Sequence, residues 1–135
     1  MATTVLIVED NALNLKFFDD LLQSHGYDTI VAHNGEEALS LVARQRPDLV
    51  LLDLRLPGIS GLEVCTRLKA DAATRSIPVV AVTAMTLRED EARMRAAGCD
   101  GYLKKPIAGK LLLETVAEMT ARTQGPRPVT AGKLT

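Results

Sequence analysis

Residues 49–53 read LVLLD, a run of four apolar side chains that ends in a carboxylate. A similar run, VLIV at residues 5–8, is followed by two carboxylates, and VVAV at residues 79–82 is followed by Thr83. Apolar runs without polar alternation are typical of strands that are covered on both faces of a sheet. The three runs therefore predict buried strands.

The segments between these strands have the length and the apolar spacing of helices. Weaker strand signals at residues 29–32 and 101–103 complete a set of about five strands. Alternating strands and helices require right-handed crossovers and a mostly parallel sheet. We therefore expect an α/β fold with a doubly wound, five-stranded parallel sheet and helices on both faces.

Local signals place several helix ends. Gly26 stands where the first helix is expected to stop, because glycine readily adopts the left-handed conformation there. The segments 60–63 and 86–89 each have the pattern of a capping box, in which a hydroxyl and a glutamate satisfy the first amides of a helix. We expect the last helix to span about residues 107–122. The apolar residues that recur at helical spacing in the first helix are Leu13, Phe17, Phe18, Leu21 and Leu22.

Length and composition indicate one ordinary globular domain. The chain has 135 residues, of which 47% are hydrophobic and 24% are charged. We expect the folded domain to span residues 1–123, and we expect residues 124–135 to form a flexible tail because that segment is rich in helix breakers and loses periodicity. The formal net charge of −1 argues against nucleic-acid binding.

The chain also lacks the sequence features of a secreted or membrane protein. Its apolar runs are far shorter than the roughly 20 residues that cross a bilayer, so no membrane insertion is expected. The start of the chain shows no signal peptide, and Cys65 and Cys99 are isolated in sequence. These features favour a reducing cytoplasm.

Polar side chains follow the predicted strands at one edge of the sheet. Glu9 and Asp10 follow the first strand, Asp53 the third, Thr83 the fourth and Lys105 the fifth. Ligands of open parallel sheets bind beyond the carboxyl ends of the strands, so these side chains are expected to converge. Three carboxylates in one place repel one another unless they share a cation.

A magnesium ion fits this set of side chains. Mg²⁺ commonly uses one or two carboxylates and the oxygens of a phosphate, which favours Asp10 and Asp53 as ligands. A carboxylate can attack phosphorus once a cation neutralises the charge, and Asp53 lies at the centre of the set. Lys105 can then pair with the phosphoryl group, and the hydroxyl of Thr83 can donate a hydrogen bond to it.

Four segments together resemble the motifs of two-component receiver domains. They read LIVEDN at residues 6–11, DLRLPG at 53–58, VTA at 82–84 and YLKKP at 102–106, and the resemblance covers roughly residues 4–122. Within this family, the chain resembles single-domain regulators of the cell cycle. The resemblance implies that Asp53 accepts a phosphoryl group from a sensor histidine kinase or a histidine phosphotransfer protein, and that hydrolysis afterwards is slow.

The resemblance also implies the flavodoxin-like strand order 2-1-3-4-5, and it implies roles for further residues. Glu9, Asp10 and Asp53 would hold Mg²⁺, for which Mn²⁺ could substitute, and the backbone carbonyl of Arg55 would add a ligand. Thr83 and Tyr102 would form the coupled switch. The fourth helix, fifth strand and fifth helix would bind a downstream protein. Such a domain is no conventional turnover enzyme, although it catalyses its own phosphorylation and dephosphorylation.

Arg55 and Ala84 are expected to modulate the lifetime of the phosphoryl group. Arg55 stands two residues after the proposed nucleophile, and its long side chain would cover the gap beside the small Ala84. The guanidinium could shield the phosphoryl group from water or stabilise the transition state. We favour shielding, because Mg²⁺ and Lys105 already neutralise the developing charge.

Other functions on this architecture fit the sequence less well. A flavodoxin-like electron carrier needs a first loop that accepts a flavin phosphate, which Glu9 and Asp10 would repel. A phosphatase of the haloacid-dehalogenase type needs an acid two residues after its nucleophile, where this chain has Arg55. A DNA-binding regulator needs a second domain, for which residues 124–135 are too few. A phosphate sink, a phosphotransfer intermediate and a non-phosphorylated docking module remain alternatives.

Overall fold

The computed structural model describes residues 2–84 and 87–121, with the side chains of residues 87–90 excepted. Within these ranges the chain alternates five strands with five helices. They are β1 (Thr4–Val8), α1 (Ala12–Ser24), β2 (Asp28–Ala32), α2 (Gly35–Gln45), β3 (Leu49–Asp53), α3 (Gly61–Ala70), β4 (Val79–Thr83), α4 (Leu87–Ala97), β5 (Gly101–Lys104) and α5 (Gly109–Ala121).

The strands form one parallel sheet in the order β2-β1-β3-β4-β5. Val8 of β1 pairs with Leu52 of β3, and Asp53 pairs with Val82 of β4. Every residue of β3 and β4 is buried, as expected for strands that are covered on both faces. The predicted fold class and strand order are confirmed.

Two apolar cores lie on the two faces of the sheet. The first is formed with α1 and α5, and the second with α2, α3 and α4. Successive strand residues point to opposite faces, so Val5 and Ile7 enter the first core while Leu6 and Val8 enter the second. This double coverage leaves the ends of the strands as the part of the sheet where polar groups can gather.

The helix ends match the sequence patterns in part. Gly26 has φ 88° just after α1, and the Ser60 hydroxyl accepts a hydrogen bond from the Glu63 amide at 3.1 Å. The predicted return bond of this capping box, from the Ser60 amide to the Glu63 carboxylate, is not formed. The Glu63 carboxylate instead accepts from Nε of Arg67 at 2.9 Å. An Arg four residues further along the helix offers the carboxylate a charged partner.

Other predicted boundaries differ or lie outside the described residues. The last helix begins at Gly109, two residues later than expected, after a cis peptide bond between Lys105 and Pro106. Thr86 of the second capping box, Arg122 at the expected helix end and the expected tail at 124–135 lie outside the described residues. Among the described helices, none combines the length and the apolar character needed to span a membrane.

The apolar residues of α1 divide between two environments. Phe18 and Leu22 are buried against the sheet, and Leu21 is half-buried. Leu13 is 81% exposed and Phe17 is 43% exposed. The spacing therefore predicts the helix, but α1 has more apolar residues than its packing face can bury.

Candidate functional site

Three carboxylates meet at the carboxyl edge of the sheet. Glu9 follows β1, and its residue is only 1% exposed, while its neighbour Asp10 is exposed. Asp53 is the last residue of β3 and is 4% exposed. Carboxylate oxygens of the three residues lie within 4.8 Å of one another, an arrangement that can hold a metal ion. The structure therefore brings together the carboxylates that the strand ends indicated.

Lys105 is the cation that faces this cluster. Its Nζ atom lies 3.2 Å from Oδ2 of Asp53 and 3.3 Å from Oε1 of Glu9. The amide of Lys105 donates to the carbonyl of Thr83 at 2.7 Å, which ties the loop after β5 to the end of β4. One ammonium thus faces carboxylates that outnumber it, and the excess negative charge is available to a further cation.

Backbone amides orient the two buried carboxylates. The Arg55 amide donates to Oδ1 of Asp53 at 2.9 Å, and the Asn11 amide donates to Oε2 of Glu9 at 3.2 Å. The second Glu9 oxygen, Oε1, is buried and has no hydrogen bond among the described residues, although Lys105 lies 3.3 Å away. A buried carboxylate oxygen without a hydrogen bond is costly, so this oxygen is suited to a ligand.

Burial also changes the protonation of Glu9. Burial, followed by the neighbouring Asp53, raises the pKa of Glu9 from its ordinary 4.5 to about 7, while Lys105 and the Asn11 amide act in the opposite direction. Carboxylates with a raised pKa are common at functional sites, because such sites bring several ionisable groups together in a buried place.

A glycine fixes the distance between Asp53 and α3. Gly61, the first residue of α3, lies against the Asp53 backbone so closely that a Cβ atom at this position would collide with the Asp53 carbonyl oxygen. The Gly61 amide also donates to the carbonyl of Leu54 at 3.2 Å. The helix start therefore packs directly on the residue that carries the central carboxylate.

The remaining candidate residues differ in their burial. Thr83 is buried at the end of β4, next to the exposed Ala84. Arg55 is exposed, and its amide is the group that contacts Asp53. Tyr102 is half-buried in β5 and packs against the core formed with α2, α3 and α4.

An apolar surface beside the cluster was missed by the sequence analysis. The exposed ring of Phe17 lines a shallow cavity of about 460 Å³ that reaches Lys105. Leu13, one turn earlier on α1, is the most exposed large apolar residue of the described chain. The only sequence signal was the surplus of apolar residues on α1. The residues that line this cavity are Asn14, Phe17, Phe18, Ala84, Lys105, Pro106 and Ile107.

The sequence profile of the response regulator receiver domain family matches residues 5–117. The chain belongs to this family. A curated relative, the polar-differentiation response regulator DivK of Brucella anthropi, is 51% identical over 116 residues, which cover 86% of this chain and 94% of the relative. This receiver domain is therefore that of a two-component response regulator similar to DivK.

Two solved receiver domains that are similar to this chain were determined with a ligand or a partner protein. The receiver domain of the Pseudomonas aeruginosa sensor histidine kinase PA1611 holds a magnesium ion in its active-site cleft; it is 30% identical, with a TM-score of 0.83, over 90% of this chain and 99% of that chain. The receiver domain of Saccharomyces cerevisiae Ssk1, solved with the histidine phosphotransfer protein Ypd1, is 27% identical, with a TM-score of 0.84, over 90% and 91% of the two chains.

Proposed function

We propose that this receiver domain takes a phosphoryl group onto Asp53 from a phosphohistidine of a sensor kinase or phosphotransfer protein, and that the modified domain signals by binding a downstream protein. The observation that carries the proposal is the Asp53 carboxylate, which is buried at the end of the central strand between Lys105 and the Arg55 amide. By its similarity to DivK, we assign the domain to polarity or cell-cycle control in the cytoplasm.

The transfer is a displacement at phosphorus. A carboxylate oxygen of Asp53 forms a bond to phosphorus while the bond between phosphorus and the histidine nitrogen breaks, and the imidazole keeps the electron pair. The product is an aspartyl phosphate. Lys105, which contacts Asp53 in the unmodified chain, follows the negative charge onto the phosphoryl oxygens.

The carboxylates fit a divalent cation by their chemistry. Oxygen ligands are what Mg²⁺ prefers, and Glu9 offers a buried oxygen that no described group hydrogen-bonds. Glu9, Asp10 and Asp53 would hold the ion together with the carbonyl of Arg55, and Mn²⁺ would substitute for Mg²⁺. A bound cation would neutralise the charge that otherwise keeps the phosphoryl group away from Asp53.

The apolar surface of α1 supports docking of the phosphohistidine protein beside the site. The exposed Phe17 lines the cavity that also contains Lys105 and Ile107, and the exposed Leu13 lies one turn earlier on the same helix. Exposed apolar groups next to a reactive centre are typical of protein interfaces. A partner helix that packs there can present its phosphohistidine to Asp53.

The switch is proposed to run from Thr83 to Tyr102. The Thr83 hydroxyl would donate to the phosphoryl group, and the half-buried Tyr102 ring would turn further inward. Thr83 belongs to β4 and Tyr102 belongs to β5. These two strands are neighbours in the sheet, where Ala81 pairs with Tyr102. The surface of α4, β5 and α5 would then bind the downstream protein.

Labelling with acetyl phosphate and Mg²⁺ tests the phosphoacceptor. We expect the wild-type chain to gain one phosphoryl group by intact mass, and Asp53→Asn to gain none, because the amide is not a nucleophile. Asp28→Asn, at the opposite edge of the sheet, is the matched control and should label like wild type. Labelling of Asp53→Asn to the wild-type extent would overturn the proposal.

Phosphotransfer from a protein donor tests the docking surface separately. Leu13→Ala should slow transfer from a phosphorylated histidine phosphotransfer protein by roughly tenfold, as loss of a buried interface contact does, while labelling by acetyl phosphate stays unchanged. Leu111→Ala, an exposed leucine of α5, is the control. Equal transfer rates for Leu13→Ala and wild type would show that α1 is not the docking surface.

A further inference from the structure

Two buried thiols face each other away from the carboxylate cluster. Cys65 of α3 and Cys99, just before β5, lie 34 positions apart in sequence, yet their Sγ atoms are 3.3 Å apart. Both are free and buried in the core formed with α2, α3 and α4. A disulfide bond is about 2.05 Å long, so the sulfur atoms need to approach by only about 1.3 Å to form one.

Neighbouring charged and backbone groups hold the two thiols in place. Lys69, one turn after Cys65 on α3, binds Asp100 at 2.8 Å, and Asp100 follows Cys99 directly. The Cys99 amide donates to the Met94 carbonyl at 3.0 Å, which fixes the turn after α4. The thiol pair and the ion pair therefore both join α3 to the turn before β5. The ion pair holds the turn in the position in which the two sulfur atoms face each other.

The two thiols differ in their tendency to ionise. The hydrogen bond with Cys99 and burial raise the pKa of Cys65 above its usual range. The same hydrogen bond lowers the pKa of Cys99. A thiolate is the reactive form of cysteine. Cys99 lies in the turn after α4 and is 3% exposed, whereas Cys65 lies within α3 and is 0% exposed, so we assign the first attack to Cys99.

The helix that leads to Cys99, α4, is also weakly anchored. Among the described side chains of α4, at residues 91–97, only Met94 and Ala97 are buried. A helix with few buried apolar side chains opens locally at low cost. Such an opening gives a small oxidant access to the turn that carries Cys99.

We propose that Cys65 and Cys99 form a redox-active dithiol that a peroxide converts to an intramolecular disulfide between α3 and the turn before β5. The Cys99 thiolate attacks one oxygen of hydrogen peroxide, the O–O bond breaks, and hydroxide leaves, which produces a sulfenic acid. The sulfur of Cys65 then attacks that of Cys99, the S–O bond breaks, and water leaves. In total, two thiols and one peroxide give one disulfide and two waters, with the thiols oxidised by two electrons.

Intact mass after treatment of the folded full chain with hydrogen peroxide tests this step. We expect the loss of two hydrogen atoms without an added oxygen, the loss of both alkylatable thiols, and full recovery with dithiothreitol. The oxidised chain should contain no disulfide between chains, and its melting temperature should rise by roughly 5–10 °C because the new bond closes a long loop. Free glutathione in the same solution shows when the peroxide has acted. If both cysteines can still be alkylated once the glutathione is fully oxidised, or if the disulfide forms between two chains, the proposal is overturned.

Single-cysteine variants separate the two roles. In Cys65→Ser, Cys99 should stop at the sulfenic acid, which dimedone traps as one adduct. In Cys99→Ser, Cys65 should stay reduced and form no adduct. The melting temperature of each reduced variant shows whether it is folded. If neither variant folds, the wild-type mass measurement alone decides. Trapping at Cys65 rather than Cys99 would contradict the assigned order of attack.

Discussion

Two lysine–carboxylate clusters lie at opposite edges of the same sheet, and only one of them is electrically balanced. At the amino edge, Lys69 donates all three ammonium hydrogens, to Asp100 at 2.8 Å and to the carbonyls of Arg75 and Ile77 at 3.0 and 2.8 Å. The Asp100 carboxylate also accepts from the Val79 amide at 2.8 Å. One positive charge meets one negative charge, and both are hydrogen-bonded.

The cluster at the carboxyl edge has a lysine of similar burial, two carboxylates that are more deeply buried than Asp100, and a different balance of charge. Lys105 lies 3.2 and 3.3 Å from two carboxylates, Asp10 adds a third, and Oε1 of Glu9 lacks a hydrogen bond among the described residues. A paired and fully bonded cluster stabilises the fold, whereas an unbalanced one is stabilised by what it binds. The same residue types thus indicate structure at one edge and function at the other.

The largest expected effect on stability is that of Lys69→Met. Its loss leaves Asp100 and two backbone carbonyls without their donor, which should lower the free energy of unfolding by about 2–4 kcal/mol. Lys105→Met, measured in the absence of metal, should cost less, about 1 kcal/mol, because Glu9 can take up a proton. Urea denaturation of both variants checks the difference. Equal decreases in the free energy of unfolding would mean that both clusters serve only to stabilise the fold.

Magnesium should stabilise the wild-type chain by a comparable amount. A ligand that binds only the folded state adds about 2.7 kcal/mol at a hundredfold excess over its Kd. Asp53→Asn should lose most of this gain, and Asp28→Asn should keep it. Chemical denaturation with and without MgCl₂ measures the gain, and NMR should show shifts of the amides at the carboxyl edge. A gain that survives Asp53→Asn would place the metal elsewhere.

A smaller effect is expected from Glu9→Gln. The neutral amide removes the repulsion between position 9 and Asp53. The free energy of unfolding of the metal-free variant should therefore be about 1 kcal/mol higher than that of wild type. The gain from Mg²⁺ should fall at the same time. Thermal unfolding in EDTA provides the first value. A destabilised variant would show that the Glu9 charge is balanced within the fold.

The smallest expected effect concerns Arg55. If its side chain shields the phosphoryl group, Arg55→Ala should dephosphorylate roughly two- to fivefold faster, a change below about 1 kcal/mol in the barrier. Arg67→Ala, an exposed arginine of α3, is the matched control. Single-turnover decay of the phosphorylated chains decides the matter. Slower decay for Arg55→Ala would make Arg55 a catalytic group instead.

The sequence predicts the sheet and its polar edge because parallel strands end at the same side. Once residues 5–8, 49–52 and 79–82 are recognised as strands, the convergence of Glu9, Asp53 and Thr83 follows from topology. Contacts at the amino edge have no such rule. Lys69 and Asp100 are 31 positions apart and meet only because α3 packs beside the turn before β5.

Burial on α1 and contact between the thiols were also beyond the sequence. Helical spacing places Leu13 and Phe18 on one helix, but only the packing of the sheet shows which of them is buried. Cys65 and Cys99 form no sequence motif, and their contact depends on how α3 packs against the turn between α4 and β5. Local pattern fixes elements, whereas contacts between distant elements need the assembled structure.

The close packing of Gly61 on Asp53 has a consequence for mutational tolerance. A change from glycine to alanine adds a single methyl group, yet here it would displace the backbone of Asp53 or the start of α3. Position 61 should therefore tolerate as few substitutions as Asp53, the proposed phosphoacceptor, although glycine has no side chain that could take part in a reaction. In a saturation-mutagenesis screen, inactive clones at this position would report the geometry of a neighbour rather than a missing functional group.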